Sequence, residues 1–173
     1  EDLNFRSFTS EDGSVSYEVK VDVNNRDITE AVIPAVYNGL PVTRIADSGF
    51  GRCENLVSVT IPDSVTEMGY DVFRGCTNLT EITIPNSMTS IESGTFSGCT
   101  SLTAIRIPDS VTSIGVYAFH GCTSLTEITI PDSVTSIGGH AFSETPWLAE
   151  KQEENPLVVV NGILIDGTTC TDN

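Results

Sequence analysis

Apolar and polar positions follow one another along this chain in a pattern that returns every 23 residues. The stretches GCTNLTEITIPNSMTSIE (75–92), GCTSLTAIRIPDSVTSIG (98–115) and GCTSLTEITIPDSVTSIG (121–138) are similar copies in the same register. A fixed period of about 20–50 residues is typical of a solenoid, in which each repeat forms one coil and contacts only its neighbours. The pattern therefore predicts a stack of coils in which equivalent side chains form columns.

Each coil is predicted to contain two short strands. The I-x-I ending in Ile105 to Ile107 places two apolar side chains on one face of a strand, and the following Pro108 ends that strand because it has no N–H to donate. The V-T-S-I segment predicts a second extended stretch, and A-F-x-G-C predicts a turn that closes the coil, with its glycine at positive φ. One inward column is predicted to hold three leucines: Leu79, Leu102 and Leu125.

The start of the chain departs from the repeat. Residues 15–23 alternate between apolar and polar positions, which places Val15, Tyr17, Val19, Val21 and Val23 on one face of a strand. With Phe5, Phe8 and the Asp12-Gly13 turn, this segment predicts a β-hairpin that caps the first coil. The first coil is 28 residues long instead of 23, and Asn38-Gly39 in its extra segment predicts a small hairpin insertion near 35–41.

The end of the chain also departs from the repeat. Thr145-Pro146 is typical of a helix N-cap followed by proline at the first helical position, and Asn155-Pro156 ends the predicted helix after about Glu154. Trp147 and Leu148 are predicted to cover the last coil, and LVVVNGILI predicts a hairpin. The expected domains are an N-terminal β cap (1–27), an array of about five coils (28–145) and a C-terminal helix and hairpin segment (146–173).

Charge excludes several classes of partner. The 173 residues include 24 acidic and 8 basic side chains, for a net charge of −16. Nucleic-acid binding depends on Lys and Arg that neutralise phosphates, so no nucleic-acid partner is expected. An anionic membrane surface is disfavoured for the same reason. No apolar run approaches the roughly 20 residues of a membrane span, so no membrane insertion is expected from this segment.

The repeat L-x-x-I-x-I-P-x-S-V-x-x-I-G-x-x-A-F-x-G-C, over about residues 28 to 145, resembles the BspA-like (treponemal-type) leucine-rich repeats of bacterial surface proteins. The resemblance implies a β-dominated α/β leucine-rich repeat solenoid: a right-handed, curved stack with a parallel sheet on its concave side. It also implies a secreted or cell-surface protein that acts by adhesion or protein binding. The tail resembles a segment that often interrupts such arrays, so we expect further repeats in a longer protein.

The cysteines support two interpretations. Cys53, Cys76, Cys99 and Cys122 keep the 23-residue interval, as the apolar residues do. A ladder of parallel side chains keeps the Cβ atoms of adjacent coils further apart than the roughly 3.8 Å that a disulfide needs. We therefore interpret the four as free buried thiols, with disulfides as the alternative. Such a ladder does not give the tetrahedral geometry of zinc either. Cys170 lies outside the column and could pair with a residue beyond the C-terminus.

No catalytic motif is found, and neither a cofactor nor a metal is expected. His120 and His140 occupy variable positions of the repeat and are interpreted as solvated side chains, not as a catalytic pair. The residues that follow the prolines, Asp63, Asp109 and Asp132 with Asn86, could form a weak cation ladder. We favour Asx turns, because Asn86 can accept the same backbone bond without a charge.

The concave strand face is the preferred binding surface. We name it the predicted concave face and assign to it Glu81, Thr83, Arg106, Glu127 and Thr129. The outward rows of this face are small and polar, and none is aromatic, which disfavours carbohydrate. A protein ligand is possible, although Arg106 alone is typical of a binding hot spot. The Tyr37 loop and the edge at Tyr117 are the alternative contact surfaces.

These observations predict a non-enzymatic repeat module. The first hypothesis is protein–protein interaction or adhesion, with a host extracellular or neighbouring-cell surface protein as partner. The alternatives are a structural spacer that holds other domains away from a cell wall, and a carbohydrate-associated binding module.

Overall fold

The structure is a computed structural model that describes residues 2–166. Five short strands, one in each coil, correspond to the predicted I-x-I strands: β3 (Glu30–Val32), β6 (Ser58–Thr60), β8 (Glu81–Ile82), β10 (Ala104–Arg106) and β12 (Glu127–Thr129). They form two parallel sheets, β3-β6-β8 and β10-β12. Strand β8 ends at Ile82, one residue earlier in the repeat than β10, and the sheet is interrupted between these two strands.

The register of these strands is the sequence period itself. Ile105 lies opposite Ile128, 23 residues later, and Ser58 lies opposite Glu81 at the same interval. The first pair, Glu30 and Ser58, is offset by 28 residues, as the longer first coil requires. The predicted stacking of one coil on the next is thus confirmed.

A second set of strands follows the prolines: β5 (Leu40–Ile45), β7 (Glu67–Met68), β9 (Ser90–Ile91), β11 (Ser113–Ile114) and β13 (Ser136–Ile137). Strands β9, β11 and β13 form one parallel sheet, and β7 pairs in parallel with β5. In the first coil, β4 (Val36–Tyr37) pairs antiparallel with β5 around the Asn38-Gly39 turn, in which both residues have positive φ (49° and 81°).

The interior consists of columns of equivalent side chains. Leu79, Leu102 and Leu125 are completely buried. Phenylalanine rings also stack from coil to coil, with centroids 5.3–5.6 Å apart, along the column Phe50, Phe73, Phe96, Phe119 and Phe142. Burying one such side chain yields about 1.5–3 kcal/mol, and each coil depends on its neighbours to enclose it.

The N-terminal cap is a hairpin of β1 (Leu3–Thr9) and β2 (Val15–Val21). Strand β2 pairs in parallel with β5, so the cap extends the second-strand sheet. Val19 and Val21 are buried, but the prediction that Val15 and Val23 point into the interior is wrong, since both are exposed. Val15 lies at the far end of β2, outside its pairing with β5, and Val23 follows the end of the strand.

Helix α1 (Pro146–Glu154) covers the other end, as predicted. The Thr145 hydroxyl caps it by accepting a hydrogen bond from the Leu148 N–H at 3.2 Å. Trp147 is buried, with its ring centroid 5.0 Å from that of Phe142. A hairpin of β14 (Val158–Val160) and β15 (Ile163–Asp166) follows, and its turn residue Asn161 donates to the carbonyls of Pro131 and Val134.

Within residues 2–166, α1 is too short to cross a membrane, and no other helix is long and apolar enough to do so.

Candidate functional site

All five residues assigned to the predicted concave face are exposed. Arg106 and Thr129 lie directly opposite each other on β10 and β12, and Glu127 lies opposite Ala104. Glu81 belongs to β8 in the other sheet, and Thr83 follows the end of that strand. The rows of the repeat are therefore preserved, but the five residues do not converge on a single point.

Thr83 and Arg106 do meet at the break between β8 and β10. Both line a shallow cavity of about 330 Å³, together with Asp63 and Asn86. Because β8 ends at Ile82, Thr83 is free of the strand ladder and can form part of this wall. Arg106 makes no ion pair within the part of the chain that the structure describes, so its guanidinium is available to an anionic partner.

The exposed row continues beyond the five predicted residues toward the N-terminal cap. Val32 lies opposite Thr60 in register, so it occupies the same row as Thr83 and Arg106, and its surface is 70% exposed. It lines a cavity of about 440 Å³ that also includes Glu30, Phe5 and Tyr37. This cavity brings together β3, the cap and the β4–β5 hairpin.

Aromatic rings form the wall of this N-terminal cavity. Phe5 and Tyr37 stack with centroids 4.0 Å apart, and Tyr17 meets both rings edge-on. Sequence reasoning identified the Tyr37 loop only as an alternative surface, and it assigned Phe5 to packing on the first coil. No repeat pattern links these two residues, and only the spacing of the Asn38-Gly39 turn showed that Tyr37 stands at a hairpin.

The second alternative surface, the edge at Tyr117, also contains an aromatic group. Tyr117 stacks on His140 with centroids 5.3 Å apart and planes inclined by 8°, and it meets His120 edge-on at 5.4 Å. His140 is exposed, as predicted. His120 is only partly exposed, and its Nδ1 atom is buried without a hydrogen-bond partner, so the interpretation of this side chain as simply solvated is wrong. The cause is the neighbouring Tyr117 ring.

Residues at this edge adopt an unusual backbone conformation. Tyr117 and His140 have φ of 57°, and their counterpart Asp71 has φ of 55°. A bulky residue at positive φ is strained, and the equivalent Gly94 shows which residue the repeat geometry favours. The three glycines predicted at positive φ are confirmed in another column: Gly75, Gly98 and Gly121.

The four repeated cysteines are free thiols buried in the interior, which confirms that interpretation; Cys170 lies outside the described residues. Burial raises the pKa of Cys76 and of Cys122 to about 12, and it also raises the pKa values of Cys53 and Cys99. A thiol with a raised pKa has little thiolate at neutral pH and is a poor nucleophile and metal ligand.

The Asx-turn prediction is wrong. At each proline a backbone bond closes the turn, as in the Val65 N–H that donates to the Pro62 carbonyl at 3.0 Å. The side chains that follow the prolines, such as Asp63 and Asn86, are exposed and make no hydrogen bond within residues 2–166. Over the same residues, no group of three or more His, Cys, Asp or Glu is placed to hold a metal ion.

Comparison with known families identifies the repeat. The family model described as BspA type leucine rich repeat region matches residues 25–153, in six copies. This match includes the whole array of five coils and helix α1 up to its last turn. The leucine-rich repeat solenoid predicted from the sequence is thereby confirmed. A comparison with curated proteins found no significant match.

Solved structures of bacterial proteins share this fold. A leucine-rich repeat protein from Bacteroides ovatus is 36% identical, with a TM-score of 0.70, over 82% of this chain and 37% of that protein. The T. pallidum leucine rich repeat protein is 33% identical, with a TM-score of 0.73, over 80% of this chain and 64% of that one. A leucine rich cell surface protein from Faecalibacterium prausnitzii is 34% identical, with a TM-score of 0.67, over 83% and 37%. The chain thus spans less than two thirds of each.

Proposed function

Because the chain belongs to the BspA-type leucine-rich repeat family, we propose that it is a non-catalytic module of a secreted or cell-surface protein and binds another protein through the predicted concave face. The observation that carries this proposal is the continuity between the exposed polar row and the aromatic cavity at its N-terminal end. Val32 belongs to both, since it lies in register with Thr60 and also lines the cavity beside Phe5 and Tyr37.

This continuity supplies what the face otherwise lacks. Binding energy at protein interfaces is concentrated in a few aromatic and arginine side chains, which are surrounded by polar contacts of small individual effect. Here Tyr37 and the apolar Val32 provide an anchor at one end, and Arg106 provides a charged contact further along the row. The small threonines between them leave room for a partner to approach the strands.

The charge of the face indicates the kind of partner. Glu30, Glu81 and Glu127 occupy alternate strands of one row, and the chain as a whole carries −16. Complementary charge accelerates association and excludes wrong partners. We therefore expect a partner with a basic contact patch and an apolar or aromatic group that enters the cavity beside Tyr37.

A binding assay on immobilised extracellular-matrix proteins tests the proposal. The full chain should bind at least one of them, and Arg106→Glu, Glu81→Arg and Tyr37→Ala should each weaken that binding. Tyr117→Ala, on another edge of the solenoid, is the matched aromatic control and should bind as the wild type does. Binding that survives all three substitutions on the face, or that is lost with the control, would contradict the proposal.

The spacer hypothesis is supported by a specific observation. Exposed threonines next to the face donate hydrogen bonds into the solenoid itself, from Thr80 to the Val57 carbonyl and from Thr126 to the Thr103 carbonyl, both at 3.4 Å. Such side chains stabilise the stacking of coils and need no ligand. If the chain of 173 residues binds none of the matrix proteins but a longer protein that contains it does, the spacer function is favoured.

A further inference from the structure

One coil carries small residues where both of its neighbours carry large ones. In the third coil Ser93, Gly94 and Ser97 form the floor of a cavity of about 460 Å³. The preceding coil supplies one wall: Tyr70, Asp71 and Arg74. The following coil supplies the other: Val116, Tyr117 and His120. We name this cavity the Gly94 notch; its volume lies within the range of about 300–1,000 Å³ that is typical of small-molecule sites.

Tyr117 offers one face of its ring to the notch. Its other face is covered by His140, the equivalent residue of the next coil, at 5.3 Å and nearly parallel. The equivalent residue of the preceding coil is Gly94, which has no side chain. The column of stacked rings thus stops at an empty level, where one more ring would lie about one coil spacing from Tyr117, the distance at which rings stack.

Polar groups surround this empty level. The Asp71 carboxylate reaches over Gly94, since a Cβ atom built on that glycine would lie 2.0 Å from Asp71 Oδ1. Arg74 lies 3.6 Å from the same carboxylate oxygen. The hydroxyls of Ser93 and Ser97 line the floor, and His120 closes the side next to Tyr117. Because Nδ1 of His120 is enclosed by protein, Nε2 is the ring atom left to bond a ligand.

We propose that the Gly94 notch binds one pyranose ring of a neutral carbohydrate, with its C–H face on Tyr117 and its hydroxyls directed to Asp71, Arg74 and the serines. A pyranose is apolar on its face and carries hydroxyl groups around its edge, so it matches a ring face bordered by donors and acceptors. An aromatic side chain of a partner protein would stack equally well, but it would remove water from these polar groups without replacing their hydrogen bonds.

Charge and strain support the same ligand. A cationic side chain could pair with Asp71, but Arg74 already lies beside that carboxylate and repels it. An anionic ligand would meet Asp71 directly, so a neutral ligand is favoured. The repeat geometry suits glycine at the position of Tyr117, yet an exposed tyrosine is held there with φ of 57°. Strained residues of this kind are concentrated at ligand-binding sites.

This inference does not depend on the predicted concave face, which carries no aromatic ring at its centre. It also differs from the expectation, based on that face alone, that carbohydrate is a poor ligand. The aromatic platform stands on another edge of the coil, at repeat positions whose residues vary from one copy to the next.

Glycan binding by the full chain tests the proposal. The probes are glucose-, mannose-, galactose- and N-acetylglucosamine-based tetrasaccharides, titrated by saturation-transfer NMR, with sulfated tetrasaccharides and N-acetyl-tyrosine amide for comparison. We expect at least one neutral tetrasaccharide to bind. Tyr117→Ala should weaken it by about tenfold, and Tyr117→Phe should retain it, because the ring and not the hydroxyl makes the contact.

A second variant fills the notch without altering the fold. Ser93→Tyr places in the third coil the residue that Tyr70 already provides at the equivalent position 23 residues earlier, so the repeat tolerates it. It should abolish glycan binding while Arg106→Glu leaves it unchanged, and thermal unfolding should show that both variants fold. The proposal is overturned if no neutral glycan binds, if glycan binding survives Ser93→Tyr, or if only the tyrosine amide or the sulfated probes bind.

Discussion

The Sγ atom of Cys99 lies 3.2 Å from the carbonyl oxygen of Phe73, to which the thiol donates a hydrogen bond. Equivalent bonds, each of 3.1 Å, join Cys76 to Phe50 and Cys122 to Phe96. Donor and acceptor are 26 residues apart, so each bond ties one coil to the coil before it. The cysteine column therefore serves the stacking of the solenoid, as buried donors.

These thiols should make the protein sensitive to alkaline pH. Burial raises the pKa of Cys76 and Cys122 from 9.0 to about 12, so the unfolded state loses its thiol protons first. The stabilising effect is complete below pH 9 and is lost as the pH rises toward 12. The free energy of unfolding should fall by about 1.4 kcal/mol per pH unit for each thiol in this window.

Urea unfolding at a series of alkaline pH values measures this slope. Cys122→Ala is the informative comparison, because it removes one titrating thiol and should flatten the slope by one thiol's share. Equal slopes for the wild type and the variant would show that the thiols do not control alkaline stability.

Inward and outward positions of one strand should differ in their cost of truncation. Ile105 is buried opposite Ile128, whereas Thr103, just before the same strand, is exposed and offers only its backbone carbonyl to Thr126. Ile105→Ala should destabilise the protein by about 2–5 kcal/mol, and Thr103→Ala by less than about 0.5 kcal/mol. Thermal and urea unfolding measure both, and similar effects would contradict the assignment of the two faces.

Features that repeat could be predicted from the sequence, because a side chain and its equivalent 23 residues later must share an environment when coils stack. That argument alone predicts the burial of Leu102 and of the cysteines. It also predicts positive φ at Gly98, where the same turn recurs in each coil. The helix that begins after Thr145 was predicted on local chemistry, through its cap and the proline that follows.

Features that occur once could not be predicted in this way. Phe5 and Tyr37 lie in different hairpins outside the repeat, so no pattern shows that their rings stack. Tyr117 and His140 are equivalent residues, but repetition gives their proximity and not the orientation of their rings. The break after Ile82 depends on a single residue of strand length. The two aromatic surfaces thus emerge from the structure, whereas the row through Arg106 was available from the sequence.

The stacked phenylalanines should be energetically coupled only to their nearest neighbours. Phe73 and Phe96 are 5.6 Å apart and nearly parallel, while Phe50 and Phe96 are separated by the intervening ring. In double-mutant cycles with leucine, we expect a coupling of about 0.5–1.5 kcal/mol for Phe73 with Phe96. The coupling of Phe50 with Phe96 should be near zero, because distant sites are additive. Equal couplings would contradict nearest-neighbour stacking.

Close approach of the backbones of adjacent coils should make one glycine irreplaceable. A Cβ atom on Gly115 would lie 2.4 Å from the backbone nitrogen of Ser93, and backbone cannot move aside as a flexible side chain does. Gly115 also donates its N–H to the Ile91 carbonyl at 2.7 Å, which fixes the two coils at this separation. Gly115→Ala should therefore destabilise the protein by about 2 kcal/mol or more.

Gly139 is the matched control for that substitution. It has no atom within 4 Å of its Cβ position and does not require a positive φ. Gly139→Ala should leave the free energy of unfolding unchanged or raise it by about 0.4–1 kcal/mol, because alanine reduces the conformational entropy of the unfolded chain. Urea unfolding of both variants provides the measurement. If Gly115→Ala proved as stable as Gly139→Ala, adjacent coils could not approach each other as closely as the columns of side chains require.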